Sequence, residues 1–254
     1  MLLWLCHGVA AMDVVQVAVQ PLRVQLRSGQ SVTIFEVVNQ DDALDAAIAD
    51  DSDPFGAVCW PASVAAANEL AALADARRGG RLDGVRVLEL GAGPGLASVA
   101  AAGLGADVVA TDVSAVSLRL LAAARDAAPA GAPLTVRRLD ITDAAAVRAL
   151  AASSGAYDVV VASDTLYQAD IAVATAAALG ALRPAVAVVC DPGRDGRGAF
   201  LAEAKRLGLA APDADFRPAV VAPLETRALR LAVDRPAGTT IGVFRAGALK
   251  EAPA

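Results

Sequence analysis

Short apolar runs alternate with segments of helical length through the central part of the chain. The runs predict buried strands at Val85–Leu90, Asp107–Ala110, Leu134–Leu139, Tyr157–Ala162 and Ala185–Cys190. The intervening and flanking segments predict helices at Pro61–Arg78, Gly95–Gly103, Ser114–Ala128, Asp143–Ala151, Ala169–Leu182 and Gly196–Leu207. Strand–helix alternation at this spacing is typical of right-handed βαβ units. We therefore predict an α/β, Rossmann-like, seven-stranded and mostly parallel sheet with helices on both faces.

The two ends of the chain carry strand patterns without intervening helices. Near the start, residues 14–19, 22–26 and 32–35 are rich in alternating or β-forming side chains, which predicts a small N-terminal β-meander. Near the other end, strand candidates lie at 219–221, 228–233 and 239–244, and the last two are predicted to form an antiparallel hairpin at the sheet edge. We expect an N-terminal extension with the meander over 1–53 and one domain over 54–250.

Charge and hydropathy limit the partners of the protein. The chain has 254 residues and a formal net charge of −6, which disfavours polyanions and predicts no nucleic-acid partner. Its mean hydropathy is +0.50, but no apolar stretch approaches the roughly 18–20 residues that span a bilayer, so no membrane association is expected. Met1–Ala11 is apolar but lacks the basic start of a signal peptide, and Met12 is a second candidate start.

The few histidines and cysteines limit the catalytic mechanisms and metal sites that the chain can form. Because His7 is the single histidine, histidine-dependent hydrolysis is disfavoured and a multi-histidine metal site cannot form, so we predict no metal. Three widely separated cysteines fit neither a disulfide framework nor a zinc knuckle, which indicates a reducing compartment. We expect a monomeric cytoplasmic protein, with a mitochondrion or plastid left open.

A glycine-rich turn follows the first central strand, in the segment Val87-Leu88-Glu89-Leu90-Gly91-Ala92-Gly93-Pro94-Gly95. Glycines let the backbone turn sharply and approach a ligand closely. A pyrophosphate needs free N–H groups at the start of the helix, and Pro94 has none to donate. The loop therefore suits S-adenosylmethionine (SAM), which has no phosphate. Candidate cofactor-binding residues here are Glu89, Gly91, Ala92, Gly93 and Gly95.

Acidic residues stand at the carboxyl ends of three successive strands, where open α/β sheets bind their ligands. They are Glu89, Asp112 and Asp140. Asp112 can accept hydrogen bonds from both ribose hydroxyls, and Asp140 can accept one from the adenine amino group. NAD proteins also bind ribose through a carboxylate, so this pattern predicts an adenosine site without identifying the reaction. The segments Ser163–Tyr167 and Asp191–Arg194 follow the next two strands and are expected to border the acceptor side.

Together these residues resemble the class I, or seven-β-strand, SAM-dependent methyltransferases, and more narrowly the methyltransferase 16 group of protein-lysine methyltransferases. The similar segments are Trp60–Ser63, Leu88–Gly95, Thr111-Asp112, Leu139-Asp140, Ser163–Tyr167 with its D-x-x-Y pattern, and Asp191–Arg194. The last is similar to the electron-transfer-flavoprotein β-subunit lysine methyltransferases.

The resemblance implies SAM as the cofactor and a lysine-bearing protein as the substrate. It implies that cofactor contacts come from Trp60, Gly91–Gly93, Asp112, Asp140, Ile141 and Ser163. Asp164 and Tyr167 are then the candidate catalytic residues on the acceptor side. Relatives often have a tryptophan where this chain has Ile141, which implies weaker stacking on adenine.

Other functions stay open at this point. A small-molecule N- or O-methyltransferase and a non-catalytic SAM-binding protein would use the same fold. An NAD-dependent dehydrogenase is disfavoured by Pro94 and by the lack of a Tyr-Lys or histidine acid. Nucleic-acid methylation is disfavoured because no Asn/Asp-Pro-Pro-aromatic loop follows the fourth strand to stack a flipped base.

Overall fold

A computed structural model describes residues 18–39, 54–128, 132–211, 214–221 and 239–249. The strands are β1 (Val19–Gln25), β2 (Ser31–Val37), β3 (Arg86–Leu90), β4 (Asp107–Asp112), β5 (Leu134–Arg138), β6 (Val159–Ser163), β7 (Val186–Asp191), β8 (Arg217–Val221) and β9 (Thr239–Gly247). The helices are α1 (Pro61–Asp75), α2 (Leu96–Gly103), α3 (Ala115–Ala127), α4 (Ala144–Ser154), α5 (Ala169–Leu182) and α6 (Arg197–Arg206), with a 3₁₀ turn at Pro54–Ala57.

Within these ranges, seven strands form one sheet in the order β5-β4-β3-β6-β7-β9-β8. Strands β3 to β7 are parallel to one another, and β9 is antiparallel to both β7 and β8. The prediction of a Rossmann-like, mostly parallel sheet is confirmed. The order reverses between β3 and β6, and ligands of open α/β sheets bind at such a switch point.

The sheet is covered by helices on both faces, which explains why its central strands are largely apolar. Alternate residues of β6 enter different clusters, because side chains along a strand point to opposite faces. Val159 and Val161 pack with residues of α1, α2 and α3, whereas Val160 and Ala162 pack with residues of α4, α5 and α6. Among the described helices, none is both long and apolar enough to cross a bilayer.

Strands β1 and β2 form the predicted N-terminal β-structure as a separate antiparallel hairpin. Their register runs from Val19 opposite Val37 to Gln25 opposite Ser31. Leu22 and Val24 join the same buried cluster as α2, so the hairpin packs on the helical layer. Residues 14–17 of the predicted meander lie outside the described residues, and the boundary at residue 53 stays a prediction.

The C-terminal strand differs from its prediction. Residues 239–244 were expected at the sheet edge in a hairpin with 228–233, but β9 is an inner strand between β7 and β8. Ile241–Phe244 are buried at every position, as an inner strand requires. The edge prediction is therefore wrong. Residues 228–233 lie outside the described part of the chain.

Candidate active site

The turn after β3 is shaped by three glycines with left-handed backbones. Gly91, Gly93 and Gly95 have φ values of 62°, 52° and 82°. A Cβ at Gly91 would lie 2.9 Å from Cγ2 of Thr165, and one at Gly93 would lie 3.2 Å from the carbonyl oxygen of Gly56. The glycines thus let the loop pass close to the segment after β6 and to the 3₁₀ turn.

Gly95 is the N-cap of α2 and has no room for a side chain, because a Cβ would overlap Cδ2 of Leu121 in α3. We expect Gly95→Ala to lower the free energy of unfolding by about 1–3 kcal/mol, since backbone strain and overpacking add. Denaturant unfolding measures this loss. Gly198 in α6 is the control, because a Cβ there meets nothing within 4 Å. Gly198→Ala is expected to be neutral or to stabilise by up to about 1 kcal/mol, and an equal loss in both variants would contradict the argument.

Asp112, at the end of β4, is fixed by the glycine loop. Its Oδ2 accepts a hydrogen bond from the Gly93 N–H (2.8 Å), and its Oδ1 accepts one from the Ser114 N–H (2.9 Å). Burial raises the pKa of Asp112, and the hydrogen bonds from Ser114 and Gly93 oppose that rise. The side chain lines the cleft described below, so a preset acceptor group faces it.

Glu89 lies behind the glycine loop and does not line the cleft. Its Oε2 accepts hydrogen bonds from the N–H (2.9 Å) and the Oγ of Ser98, in the first turn of α2. Burial raises the pKa of Glu89 to about 7, and the nearby charge of Asp112 adds to this effect. Glu89 is therefore placed to hold the loop and α2 together.

The raised pKa of Glu89 predicts a pH-dependent stability. Its pKa is about 7 in the folded protein against an ordinary 4.5, so its contribution is complete below pH 4.5 and is lost as the pH rises through 7. On the order of 2–3 kcal/mol should disappear between about pH 5 and about pH 8. In Glu89→Gln, which cannot ionise, this part of the pH dependence should be absent. Denaturant unfolding of both proteins across this range tests it, and identical pH profiles would rule it out.

A cleft of about 390 Å³ opens over the carboxyl ends of the strands. Ten of the twelve predicted site residues line it: Trp60, Gly91, Ala92, Gly93, Asp112, Asp140, Ile141, Ser163, Asp164 and Tyr167. The other two, Glu89 and Gly95, lie outside the lining. Lining residues that sequence reasoning did not select as site residues include Phe55, Gly56, Ser63, Thr165, Gln168, Ile171 and Arg194.

One end of the cleft combines an exposed carboxylate with apolar walls. Oδ1 of Asp140 accepts hydrogen bonds from the N–H (2.8 Å) and Oγ1 (2.6 Å) of Thr142, which fix the turn after β5. Leu139 and Ile141, the chain neighbours of Asp140, also line the cleft. This arrangement can hold a flat heteroaromatic ring with an amino group.

The middle of the cleft is bordered by the start of α1. Trp60 directly precedes α1, and its Nε1–H donates to the carbonyl oxygen of Phe55 (2.8 Å), which fixes the indole ring. The hydroxyl oxygens of Ser63 and Ser163 lie 3.2 Å apart in a hydrogen bond that joins α1 to the end of β6. Both serines line the cleft and present small polar groups to a ligand.

The other end of the cleft carries an ion pair and two aromatic rings. Asp164 has a left-handed backbone with φ 58°, and its side chain is 5% exposed. Its Oδ1 accepts a hydrogen bond from Nε of Arg194 (2.8 Å). The Tyr167 ring meets that of Phe55 edge to face, with centroids 6.3 Å apart. Non-glycine residues at positive φ are strained and cluster at functional sites.

Arg194 reaches the cleft because a buried carboxylate organises the turn after β7. Asp191 is fully buried, and its Oδ2 accepts hydrogen bonds from the N–H groups of Gly193 (2.8 Å) and Arg194 (3.1 Å) and from Nε of Arg197 (2.8 Å). The Arg194 guanidinium lies 5.4 Å from the centre of the Trp60 ring, within cation–π range. Through Arg194, the Asp-Pro-Gly-Arg turn at the end of β7 thus contacts both Asp164 and Trp60, two residues that line the cleft.

Solved structures share this fold at low sequence identity. A SAM-dependent methyltransferase from Agrobacterium tumefaciens is 14% identical, with 89% of this chain and 70% of that chain covered and a TM-score of 0.55. The magnesium protoporphyrin IX methyltransferase of Synechocystis PCC 6803, solved with bound SAM, is 18% identical over 73% of this chain and 79% of that chain, with a TM-score of 0.51.

A local match also links the chain to the 2-keto-3-deoxy-L-fuconate dehydrogenase of Xanthomonas campestris. The two are 45% identical over 82 residues, which is 31% of this chain. The matched part spans 25% of the dehydrogenase's length. A match of this extent does not carry the activity of the whole dehydrogenase.

The family model for lysine methyltransferases matches residues 39–204. Together with the sheet topology and the glycine loop, this match defines a class I SAM-dependent methyltransferase with SAM as its cofactor. The chain belongs to the lysine methyltransferase family.

Proposed function

We propose that the protein transfers the methyl group of SAM to a lysine side chain of a protein substrate. The observation that carries this proposal is the match to the lysine methyltransferase family model over residues 39–204. The lone histidine, His7, agrees with it, because methyl transfer from a sulfonium requires neither a covalent nucleophile nor a metal. The three carboxylates among the lining residues, Asp112, Asp140 and Asp164, also favour a cationic ligand over a phosphorylated one.

The cofactor is proposed to lie across the strand ends, with its adenine near Asp140 and Ile141 and its ribose at Asp112. Asp112 suits this role because its carboxylate is already oriented by two backbone N–H groups before the ligand arrives. The backbone of Gly91–Gly93 then faces the sulfur and the amino-acid part, next to Trp60 and Ser163. Glu89 and Gly95 support the loop from behind.

The acceptor is proposed to enter at the end that carries Asp164 and Tyr167. Phe55 is 57% exposed beside the Tyr167 ring, and Ile171 also lines the cleft. These side chains give this part of the cleft an apolar lining that suits the methylene stem of a lysine. Asp164 and Tyr167 would then meet the nitrogen at its end.

The residues around this entrance explain how an amine could react there. SAM supplies an electrophilic methyl group on its sulfonium sulfur; the new N–C bond forms as the S–C bond breaks, leaving S-adenosylhomocysteine (SAH). The lysine ammonium must first release a proton to the solvent, and partial desolvation by Phe55 and Tyr167 favours this release because it lowers the pKa of an amine. Asp164 and Tyr167 are proposed to orient the nitrogen lone pair along the S–C axis, because alignment is the main contribution such a site makes.

Labelling of a proteome tests the acceptor. Purified enzyme and SAM carrying an isotopically labelled methyl group are added to an extract of cells lacking the protein. We expect label in a discrete protein band that yields methyl-lysine on hydrolysis, with the modified position located by mass spectrometry. Label confined to the small-molecule fraction would refute the proposal in favour of a metabolite methyltransferase. Self-labelling is easily recognised, because the chain has lysine only at positions 205 and 250.

A further inference from the structure

Charge is unevenly distributed among the residues that line the cleft. Three carboxylates line it, from Asp112, Asp140 and Asp164, and Arg194 is the one cation among the described lining residues. The Arg194 side chain is 34% exposed, so it is partly withdrawn from water and still reachable by a ligand. A ligand group with a negative charge would therefore find its partner at Arg194.

The hydrogen bonds of Arg194 leave one side of the guanidinium available. Nε donates to Asp164, while the backbone N–H donates to Asp191. In the described part of the chain, no acceptor pairs with Nη1 or Nη2. Asp164 and the Trp60 ring hold the guanidinium in place, so its remaining N–H groups are oriented in advance.

We propose that Arg194 binds the α-carboxylate of the amino-acid part of SAM and SAH through its Nη groups. This inference rests on the proposed position of the cofactor in the cleft. A planar guanidinium matches a carboxylate with two parallel hydrogen bonds. The cleft's three carboxylates would repel that group, whereas they suit the ammonium and the ribose hydroxyls.

The strand order supports this position. From Asp112 at the end of β4, the sheet continues through β3 with the glycine loop, β6 with Ser163, and β7 with the turn of Arg194. A ligand that extends from Asp112 across the loop therefore runs toward β7. A lysine ammonium at the same spot would be repelled by the guanidinium, which favours the cofactor's carboxylate over the acceptor as the occupant.

Two ligands that differ only by the carboxylate test the inference. They are SAH and its decarboxylated form, S-adenosyl-3-thiopropylamine, titrated calorimetrically into the wild-type protein and the variants. The wild type should bind SAH at least about tenfold more tightly than the decarboxylated form. Arg194→Gln should lose that factor for SAH and bind the decarboxylated form within about twofold of wild type. Arg194→Lys keeps the positive charge but lacks the planar pair of N–H groups, so it should retain part of the preference for SAH over the decarboxylated form.

Arg206→Gln is the matched control, because Arg206 lies on the surface of α6 in an ion pair with Glu203. It should leave both affinities unchanged. The inference would be overturned if Arg194→Gln weakened the binding of both ligands equally, or if the wild type did not prefer SAH. If Arg194→Gln does not fold, the affinities of Arg194→Lys are judged by the same criterion. The titrations need no acceptor. A carboxylate preference without lysine methylation would contradict only the proposed function, and lysine methylation without that preference would contradict only the role of Arg194.

Discussion

Asp112→Ala is expected to weaken the binding of SAH by about two orders of magnitude, because two effects add. The substitution removes the proposed acceptor for the ribose hydroxyls. It also leaves the N–H groups of Gly93 and Ser114 without the carboxylate that orients them, so the glycine loop loses its shape. Isothermal titration with SAH measures the loss. Binding within about threefold of wild type would show that the ribose does not lie at this carboxylate.

Asp143→Ala provides a matched control for the loss of an aspartate. Asp143 is the N-cap of α4 and accepts hydrogen bonds from the N–H groups of Ala145 and Ala146. It does not line the cleft. Its replacement should cost about 1 kcal/mol of stability, as the loss of a helix cap does, and should leave SAH affinity unchanged. A parallel fall in SAH affinity would attribute the Asp112 result to general destabilisation.

Tyr167→Phe and Asp164→Asn are expected to slow methyl transfer by about 10- to 100-fold while changing SAH affinity by less than about threefold. The reason is that both side chains are proposed to orient the acceptor nitrogen, and Asp164 acts on the cofactor only indirectly, through its ion pair with Arg194. In Asp164→Asn, the amide oxygen can still accept from Nε of Arg194, so the turn after β7 should persist. Turnover is measured as label incorporated into the protein band found by proteome labelling. Equal losses of SAH affinity would place these residues around the cofactor instead.

The second tyrosine of the chain supplies the matched control. Tyr157 is 2% exposed, its hydroxyl has no hydrogen-bond partner among the residues that the structure describes, and it does not line the cleft. Tyr157→Phe makes the same chemical change as Tyr167→Phe and removes a buried hydroxyl without a partner. It should leave turnover unchanged and should keep or raise stability. Slower turnover in this variant would mean that the loss of a tyrosine hydroxyl acts through the fold.

Strands β3 to β7 and the helices between them can be predicted from local pattern. The apolar runs of parallel strands have strand length, and signals such as Pro61 or Ser114 mark where helices begin. The position of β9 cannot be predicted in this way. Its neighbours β7 and β8 are chosen by packing between distant segments, and the run Ile241–Phe244 is equally consistent with an edge hairpin before its burial is known.

Some residues of the site can likewise be predicted from the local sequence, whereas others depend on contacts between distant segments. The glycine loop, Asp112 and the Ser163–Tyr167 segment are recognisable because each follows directly on a buried strand. The segment Asp191–Arg194 was expected to border the acceptor side, but Arg194 itself was not selected as a site residue, because the local sequence does not show whether Arg194 or Arg197 reaches the cleft. The hydrogen bonds of Asp191 decide which arginine enters the cleft, with Arg197 held on the other side against Phe216. Phe55 lies in a turn that only the folded chain brings to the strand ends.

The inner position of β9 has a consequence for biosynthesis. Every residue of β7 is buried in the finished sheet, and residues 242–247 of β9 cover its outer side. Until the ribosome has delivered these late residues, an apolar strand with unpaired backbone groups stays open to other chains. Nascent or prematurely terminated chains that lack β9 should therefore depend on chaperones and be prone to aggregate, although every residue that lines the cleft has already been translated.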